Sequence, residues 1–249
     1  SNVTEIIMSL FKYKFRPPHM GKYPMEQVKR VDKPTTRIDE EIVPRVPLRA
    51  AFFTRPSFGD LGERVQNERK RFMSKHPIGR AIGASLMANV PLQDGPVAED
   101  IAPGTEDAEE MMKHIKSLCY FMDIDMVGIC EIPDYAWYSH DGDGEEITPD
   151  HKYAIVMIID QGFQTMEGAS GDDWISGTQS YRAYLRGQEV GNVVANYIRQ
   201  LGYGARCHSS AKGQVLQIPL MLLAGLGELS RIGELVLNPF MGPRMKTAV

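Results

Sequence analysis

Two tyrosines in the second half of the sequence could take part in acid–base chemistry. Tyr181 and Tyr184 lie three residues apart in the segment 180–186, so on a helix they share one face. A phenol can donate a proton in a pocket of low polarity, especially beside a cation. The alternative is that both rings pack in the core with their hydroxyls at its edge.

A polar loop, residues 204–213, follows and carries Ser209, Ser210 and Lys212. Lys212 lies just ahead of an apolar run, where a chain end could hold an ammonium group near a pocket. Most lysines are simply solvated, so this position gains weight only from its context. His208 has no second ligand at helical or hairpin spacing, which favours a structural histidine over a metal ligand.

Glycine-bearing segments lie on both sides of these residues. The loop 161–179 contains Gly168 and Gly171 and stands between a predicted strand and a long helix. Ligands often bind at such a position in layered folds. The alternative is that these glycines only form the turns of an ordinary loop. Gly225 and Gly227 interrupt a helix-like run at a cost of ~1 kcal/mol each, which indicates close approach to a ligand or a neighbouring element. The third glycine of a dinucleotide fingerprint is missing, which argues against NAD binding.

Apolar periodicity predicts the elements that position these residues. The predicted helices span 61–75, 106–121, 176–201 and 218–229. The predicted strands span 126–132, 153–159 and 234–237. The run 153–159 is uninterrupted and therefore predicts a strand buried on both faces, while Gly202 ends the longest helix. Helices alternating with strands predict an α/β fold, specifically an α+β sandwich.

The chain divides into two predicted regions. Residues 1–104 are rich in proline and arginine near their start, which predicts an extended N-terminal arm followed by a helical extension. Residues 92–107 are expected to form a surface linker. Residues 105–249 carry the regular alternation and predict the core domain.

Composition narrows the classes of function. With 249 residues, 43% of them hydrophobic, the chain can bury one sizeable core. A net charge of −4 without a basic stripe argues against a nucleic-acid partner. Three well-separated cysteines indicate neither a disulfide framework nor a thiolate metal site, so we predict no metal ligands. No apolar run is long enough to span a bilayer and no secretory signal is visible, so we expect a cytoplasmic protein.

Four sequence blocks stand in a fixed order near the C-terminus. They are IRQLGY at 198–203, IP at 218–219, AGLGELSRIG at 224–233, and NP followed by GPR within 238–244. Together they resemble the corrinoid-binding core of cobalamin-dependent reductive dehalogenases of the soluble, catabolic type, whose relatives are the epoxyqueuosine reductases. The resemblance is specific over 176–246, weaker over 105–175 and absent before that. Ser230 stands where the family usually has glycine.

The resemblance implies a nitroreductase-like core that holds cobalamin and reduces a carbon–halogen bond of an organohalide at cobalt. It implies that Tyr184, or alternatively Tyr181, donates the proton and that Lys212 is the partner of this tyrosine. Arg244 or Arg231 is expected to bind halide or a cofactor phosphate. The expected cofactor-binding residues are Gly168, Gly171, Ser209, Ser210, Gly225, Gly227 and Arg231.

Members of the family also carry two iron–sulfur clusters directly after this segment. The present sequence ends at Val249, before the cluster ligands, so we expect it to depend on an electron donor or on a separate iron–sulfur segment. Two other interpretations are a non-catalytic corrinoid carrier or processing module and a flavin-dependent enzyme of the nitroreductase type.

Overall fold

A computed structural model describes residues 21–25, 28–29 and 31–249. The first twenty residues of the predicted arm, with Arg16, Pro17 and Pro18, lie outside the described residues. The helices are α1 (Glu63–Ser74), α2 (Pro77–Ala88), α3 (Ala108–Phe121), α4 (Phe163–Glu167), α5 (Trp174–Gln200) and α6 (Gln217–Leu223). The strands are β1 (Met126–Glu131), β2 (Tyr153–Asp160), β3 (Glu228–Leu229), β4 (Val236–Leu237) and β5 (Met245–Ala248).

A three-stranded antiparallel sheet in the order β1-β2-β5 forms the centre of the fold. Met126 of β1 lies opposite Ile158 of β2, and Asp160 of β2 lies opposite Met245 of β5. Alternating β2 side chains enter two different apolar clusters, because successive residues of a strand point to opposite faces. The prediction of a strand buried on both faces is therefore confirmed.

Helices cover both faces of this sheet. On one face α3 and α5 pack against β1, β2 and β5 around Cys119, Met157 and Val190. On the other face α6 and the segments 135–137 and 236–241 surround Trp137, Leu220 and Leu226. This mixture of helix and sheet confirms the α+β sandwich, and the short β3–β4 hairpin lies beside it.

The longest helix, α5, begins and ends where local chemistry dictates. The Asp173 carboxylate accepts hydrogen bonds from the backbone N–H groups of Ile175 and Ser176, which caps the first turn. At the other end Gly202 adopts φ of 90°, a conformation that glycine takes without strain. The predicted stop at Gly202 is confirmed, and the helix begins two residues earlier than the periodicity indicated.

Close packing of α5 on the sheet depends on two glycines. A Cβ atom at Gly187 would lie 2.8 Å from Ile159 Cδ1 and 3.0 Å from Ala248 Cβ. A Cβ atom at Gly191 would lie 2.5 Å from Cys207 Sγ. These contacts are shorter than carbon and sulfur atoms tolerate, so only glycine lets the helix approach β2, β5 and the following loop this closely.

The structure corrects the sequence-based boundaries near the C-terminus. The predicted helix 218–229 ends at Leu223, because Gly225 turns the chain with φ of 72° and Gly227 passes against the carbonyl oxygen of Leu237. Glu228–Leu229 is consequently a strand of the β3–β4 hairpin. Strand β5 and helix α2 were not predicted at all. The glycines of α2, Gly79 and Gly83, weaken its helical signal.

The described part of the N-terminal arm lies along the core. The Arg45 guanidinium donates hydrogen bonds to the carbonyl oxygens of Tyr138 and Ile147, and the Leu48 N–H donates to the His140 carbonyl oxygen. Helix α2 packs against α5. The domain boundary near residue 104 stays a prediction.

Replacing Gly187 by valine tests the close approach of α5 to the sheet. The added side chain must displace Ile159 or Ala248, so we expect the free energy of unfolding to fall by about 1–3 kcal/mol in urea denaturation. Glu189→Val is the matched control, since Glu189 is exposed on the same helix and its replacement costs only helix propensity, under about 1 kcal/mol. Equal losses in both variants would contradict the packing described.

Candidate functional site

Helix α5 and strand β5 bring Tyr184 and Lys246 together. The Lys246 Nζ atom lies 5.3 Å from the centroid of the Tyr184 ring. The contact follows from the packing of α5, because Gly187, one turn after Tyr184, lies against Ala248, two residues after Lys246. An ammonium at this distance from an aromatic ring is in the range of a cation–π interaction.

The two predicted tyrosines have different surroundings. Tyr181 lines a narrow cleft between α5 and the α1–α2 helices, together with Phe72, His76 and Gly79. Burial raises the pKa of Tyr181, and this effect outweighs the opposing charge of Arg69. Tyr184 instead faces β5 and its lysine.

Lys212 is engaged away from both tyrosines. Its Nζ atom donates to the Asp143 carboxylate at 2.5 Å, and this hydrogen bond raises the pKa of Lys212. Cys207, where the loop of Lys212 begins, lies against Gly191 of α5. Gly191 is roughly 10 Å farther along the helix axis than Tyr184, at 1.5 Å per helical residue. The structure therefore brings Lys246, and not Lys212, to Tyr184.

Sequence reasoning overlooked Lys246. The available signal was its position two residues after Arg244 in the GPRMK segment, because residues two apart on a strand share a face. This segment was not predicted to be a strand, so the relation between the two side chains could not be used.

Arg244 lies in a charged network at the end of β2. Its Nε atom donates to Asp160 at 2.8 Å, and the Tyr23 hydroxyl donates to the same carboxylate at 2.6 Å. Burial acts to raise the pKa of Asp160, yet the hydrogen bonds from Arg244, Tyr23 and the Gly162 N–H hold this pKa well below its usual range. Asp160 is thus a stable anion that fixes the guanidinium.

The loop 207–213 is anchored by contacts with buried residues. The Ser209 hydroxyl oxygen accepts from Gln93 Nε2 at 3.1 Å, while Ser210 is exposed. His208 is buried, its Nδ1 accepts from the Gln214 N–H, and its ring meets Trp137 edge-on with centroids 5.9 Å apart. Burial lowers the pKa of His208 to about 3, helped by the charge of Arg206. His208 is therefore a neutral structural residue.

The remaining predicted cofactor-binding residues are dispersed. Gly168 caps the end of α4, and Gly171 adopts φ of 121° with open space where a Cβ atom would stand. Gly225 and Gly227 serve the turn and the close approach of the hairpin already described. Arg231 is exposed in the turn between β3 and β4. The structure does not gather these residues at one point, and their roles stay predictions.

A cavity of about 310 Å³ opens beside Arg244. It is lined by Lys22, Tyr23, Asp160, Gly162, Phe163, Gln164, Thr165 and Arg244. Within the ranges that the structure describes, no group of three histidine, cysteine or carboxylate side chains is arranged to hold a metal ion. The same ranges contain no helix with the length and apolarity needed to cross a membrane.

Comparison with known proteins finds reductive dehalogenases. No protein-family model matches the chain. Over 97 residues, the chain is 31% identical to the tetrachloroethene reductive dehalogenase of Dehalobacter restrictus (strain DSM 9455 / PER-K23) and 30% identical to that of Desulfitobacterium hafniense. These matches cover 39% of the chain and 17% of each relative.

The solved structures match almost the whole chain. The chain is related to the reductive dehalogenases. In particular it shares the fold of the catabolic reductive dehalogenase NpRdhA, with a TM-score of 0.88 and 46% sequence identity over 96% of the chain. That enzyme has also been solved in complex with 3-bromo-4-hydroxybenzoic acid. The chain spans about a third of the length of NpRdhA, since the match covers 35% of it.

The buried His208 predicts a specific dependence of stability on pH. The imidazole has an ordinary pKa of about 6.5 in the unfolded chain, whereas burial lowers this pKa to about 3 in the folded chain. Between these two pH values the unfolded state binds a proton that the folded state does not bind, which stabilises the unfolded state. We expect the free energy of unfolding to fall by roughly 1.5 kcal/mol between pH 6.5 and 5.

Urea denaturation across this pH range measures the effect. His208→Gln keeps an acceptor for the Gln214 N–H and should remove most of the slope. His114→Gln, at an exposed histidine, should keep it. A slope that is unchanged in His208→Gln would contradict the assignment.

Proposed function

We propose that this chain is the corrinoid-binding catalytic core of a reductive dehalogenase of the soluble, catabolic type. The reaction adds two electrons and one proton to an organohalide, breaks the carbon–halogen bond, forms a carbon–hydrogen bond and releases halide. The observation that carries the proposal is the Tyr184–Lys246 pair, which lies in a chain 46% identical to NpRdhA. This pair supplies what the proton-transfer half of the reaction requires.

Cobalamin, when bound, supplies the electrons at cobalt. The cavity of about 310 Å³ is too small to enclose a corrinoid, so this cofactor would bind at another place on the chain. Polar groups suited to the amide side chains of a corrinoid stand in the loop 207–213, where Ser210 is exposed and Ser209 is anchored on Gln93. Gly171 adds open space before α5. These residues fit a surface site.

Tyr184 holds the proton that is transferred to carbon. After transfer its oxygen would be an anion, and an ammonium 5.3 Å from the ring centroid would stabilise this anion electrostatically. Lys246 therefore takes the role that the resemblance gave to Lys212. Tyr181 is less suitable, because burial among α1, α2 and α5 favours its neutral form.

Arg244 is the group suited to the released halide or to a cofactor phosphate. Its Nε and Nη2 atoms are used by Asp160 and Tyr23, and these contacts leave Nη1 for an anion. The Asp160 pair keeps the guanidinium fixed, which lowers the entropic cost of binding. Electrons would come from a donor or from an iron–sulfur segment.

Retention of a corrinoid tests the cofactor proposal. The chain is purified after incubation with hydroxocobalamin, and the visible spectrum is recorded. We expect near-stoichiometric corrinoid at micromolar protein. A colourless protein would contradict the proposal, and a yellow protein with bound FMN would favour a flavin-dependent enzyme instead.

Substitution of Tyr184 separates an enzyme from a carrier. The loaded chain is mixed with a chemical reductant and 3-bromo-4-hydroxybenzoic acid, and bromide release is measured. Tyr184→Phe should lower turnover at least about 100-fold, the usual contribution of a general acid, without changing the corrinoid spectrum. Lys246→Met should lower turnover about tenfold or more, and Tyr181→Phe should change it little.

Two results would contradict the catalytic role. One is a loaded wild-type chain that retains corrinoid and releases no bromide, which a non-catalytic carrier would do. The other is equal turnover in wild type and Tyr184→Phe.

A further inference from the structure

The wall of the cavity beside Arg244 is held in place by specific contacts. Tyr23 is fixed at both ends, because its hydroxyl donates to Asp160 at 2.6 Å and its ring stacks on Phe240 with centroids 5.7 Å apart. This anchors the chain segment that carries Lys22, whose Nζ lies 3.3 Å from the same carboxylate. Residues from the arm, from β2 and from the segment before β5 therefore meet at one place.

The charges around the cavity leave an excess of cation. Lys22 and Arg244 carry two positive charges, and Asp160 is the single carboxylate among the lining residues. The Asp160 side chain is only 4% exposed, whereas that of Lys22 is 61% exposed. An entering ligand consequently meets ammonium and guanidinium protons before it meets the carboxylate, which favours an anion.

The cavity also has an aromatic wall, beside Arg244. The Phe163 ring is exposed and lines the cavity, and the Arg244 guanidinium lies 5.8 Å from its centroid. Gly162, Gln164 and Thr165 complete the lining. A flat ring can therefore lie against Phe163 while its charged substituent reaches Lys22 and Arg244.

We propose that this cavity binds a small planar organic anion of the aryl carboxylate class. Its volume of about 310 Å³ is at the lower end of ligand pockets, so it admits one ring with its substituents. The inference uses neither a corrinoid nor the Tyr184–Lys246 pair. It shares Arg244 with the anion site proposed above, so its test rests on Lys22 and Phe163, which take no part in the dehalogenase proposal.

Benzoate and benzamide test the electrostatic part of this assignment. The two probes share shape and ring, and only benzoate is charged. In NMR titrations of the full chain we expect benzoate to bind with a dissociation constant of about 1 mM, as for a small ligand, and benzamide at least about fivefold more weakly. Added sodium chloride should weaken benzoate binding because the site is open to solvent.

Two pairs of variants locate the site. Lys22→Met should weaken benzoate binding about fivefold, and Lys152→Met should not, although each lysine lies 5.1 Å from the ring of the tyrosine that follows it. Phe163→Leu should weaken binding at least about threefold, while Phe121→Leu, at another highly exposed phenylalanine, should not. All four side chains are exposed, so the variants should fold, and their thermal midpoints check this.

Four outcomes would overturn the proposal. They are no benzoate binding at about 10 mM, equal binding of benzoate and benzamide, wild-type affinity in Lys22→Met, and inorganic phosphate binding as tightly as benzoate. The last result would mean that the cavity selects charge alone and that the Phe163 ring plays no part.

Discussion

The close approach of α5 to β2 and β5 determines most of what this structure can do. It exists because Gly187 and Gly191 have no side chains to hold the helix away from Ile159, Ala248 and Cys207. Because Gly187 packs against Ala248, the residue one turn earlier on α5 lies beside the residue two positions earlier on β5. Tyr184 therefore faces Lys246. The tyrosine and the lysine are 62 positions apart in the sequence, and backbone packing alone makes them neighbours.

A second constraint is the burial of the Asp160 carboxylate at the end of the central strand. An isolated buried carboxylate would be strongly unfavourable, so its partners are fixed by necessity. Arg244 arrives from the segment before β5, and Tyr23 from the N-terminal arm. The same anion thus joins the arm to the core, orients the guanidinium and forms the floor of the cavity.

The sequence predicted those parts of the fold that repeat regularly and missed those that depend on contacts between distant residues. The apolar spacing of α5 and the unbroken run of β2 were sufficient for both elements, and Gly202 marked the helix end. Strand β5 is short and is formed by pairing with β2, so its local sequence carries no strand pattern. Lys246 was overlooked for the same reason. Gly225 was correctly noticed, yet the turn that it makes was only visible once the β3–β4 hairpin was in place.

The central proposal is that a corrinoid binds beside Tyr184, which is paired with Lys246. A crystal structure of the chain grown with hydroxocobalamin measures this most directly. The account predicts that the corrin ring lies beside the Tyr184 hydroxyl, with Lys246 Nζ still within about 6 Å of the tyrosine ring, the limit of a cation–π contact. A corrin bound on another surface, or a Lys246 side chain turned away from Tyr184, would contradict it.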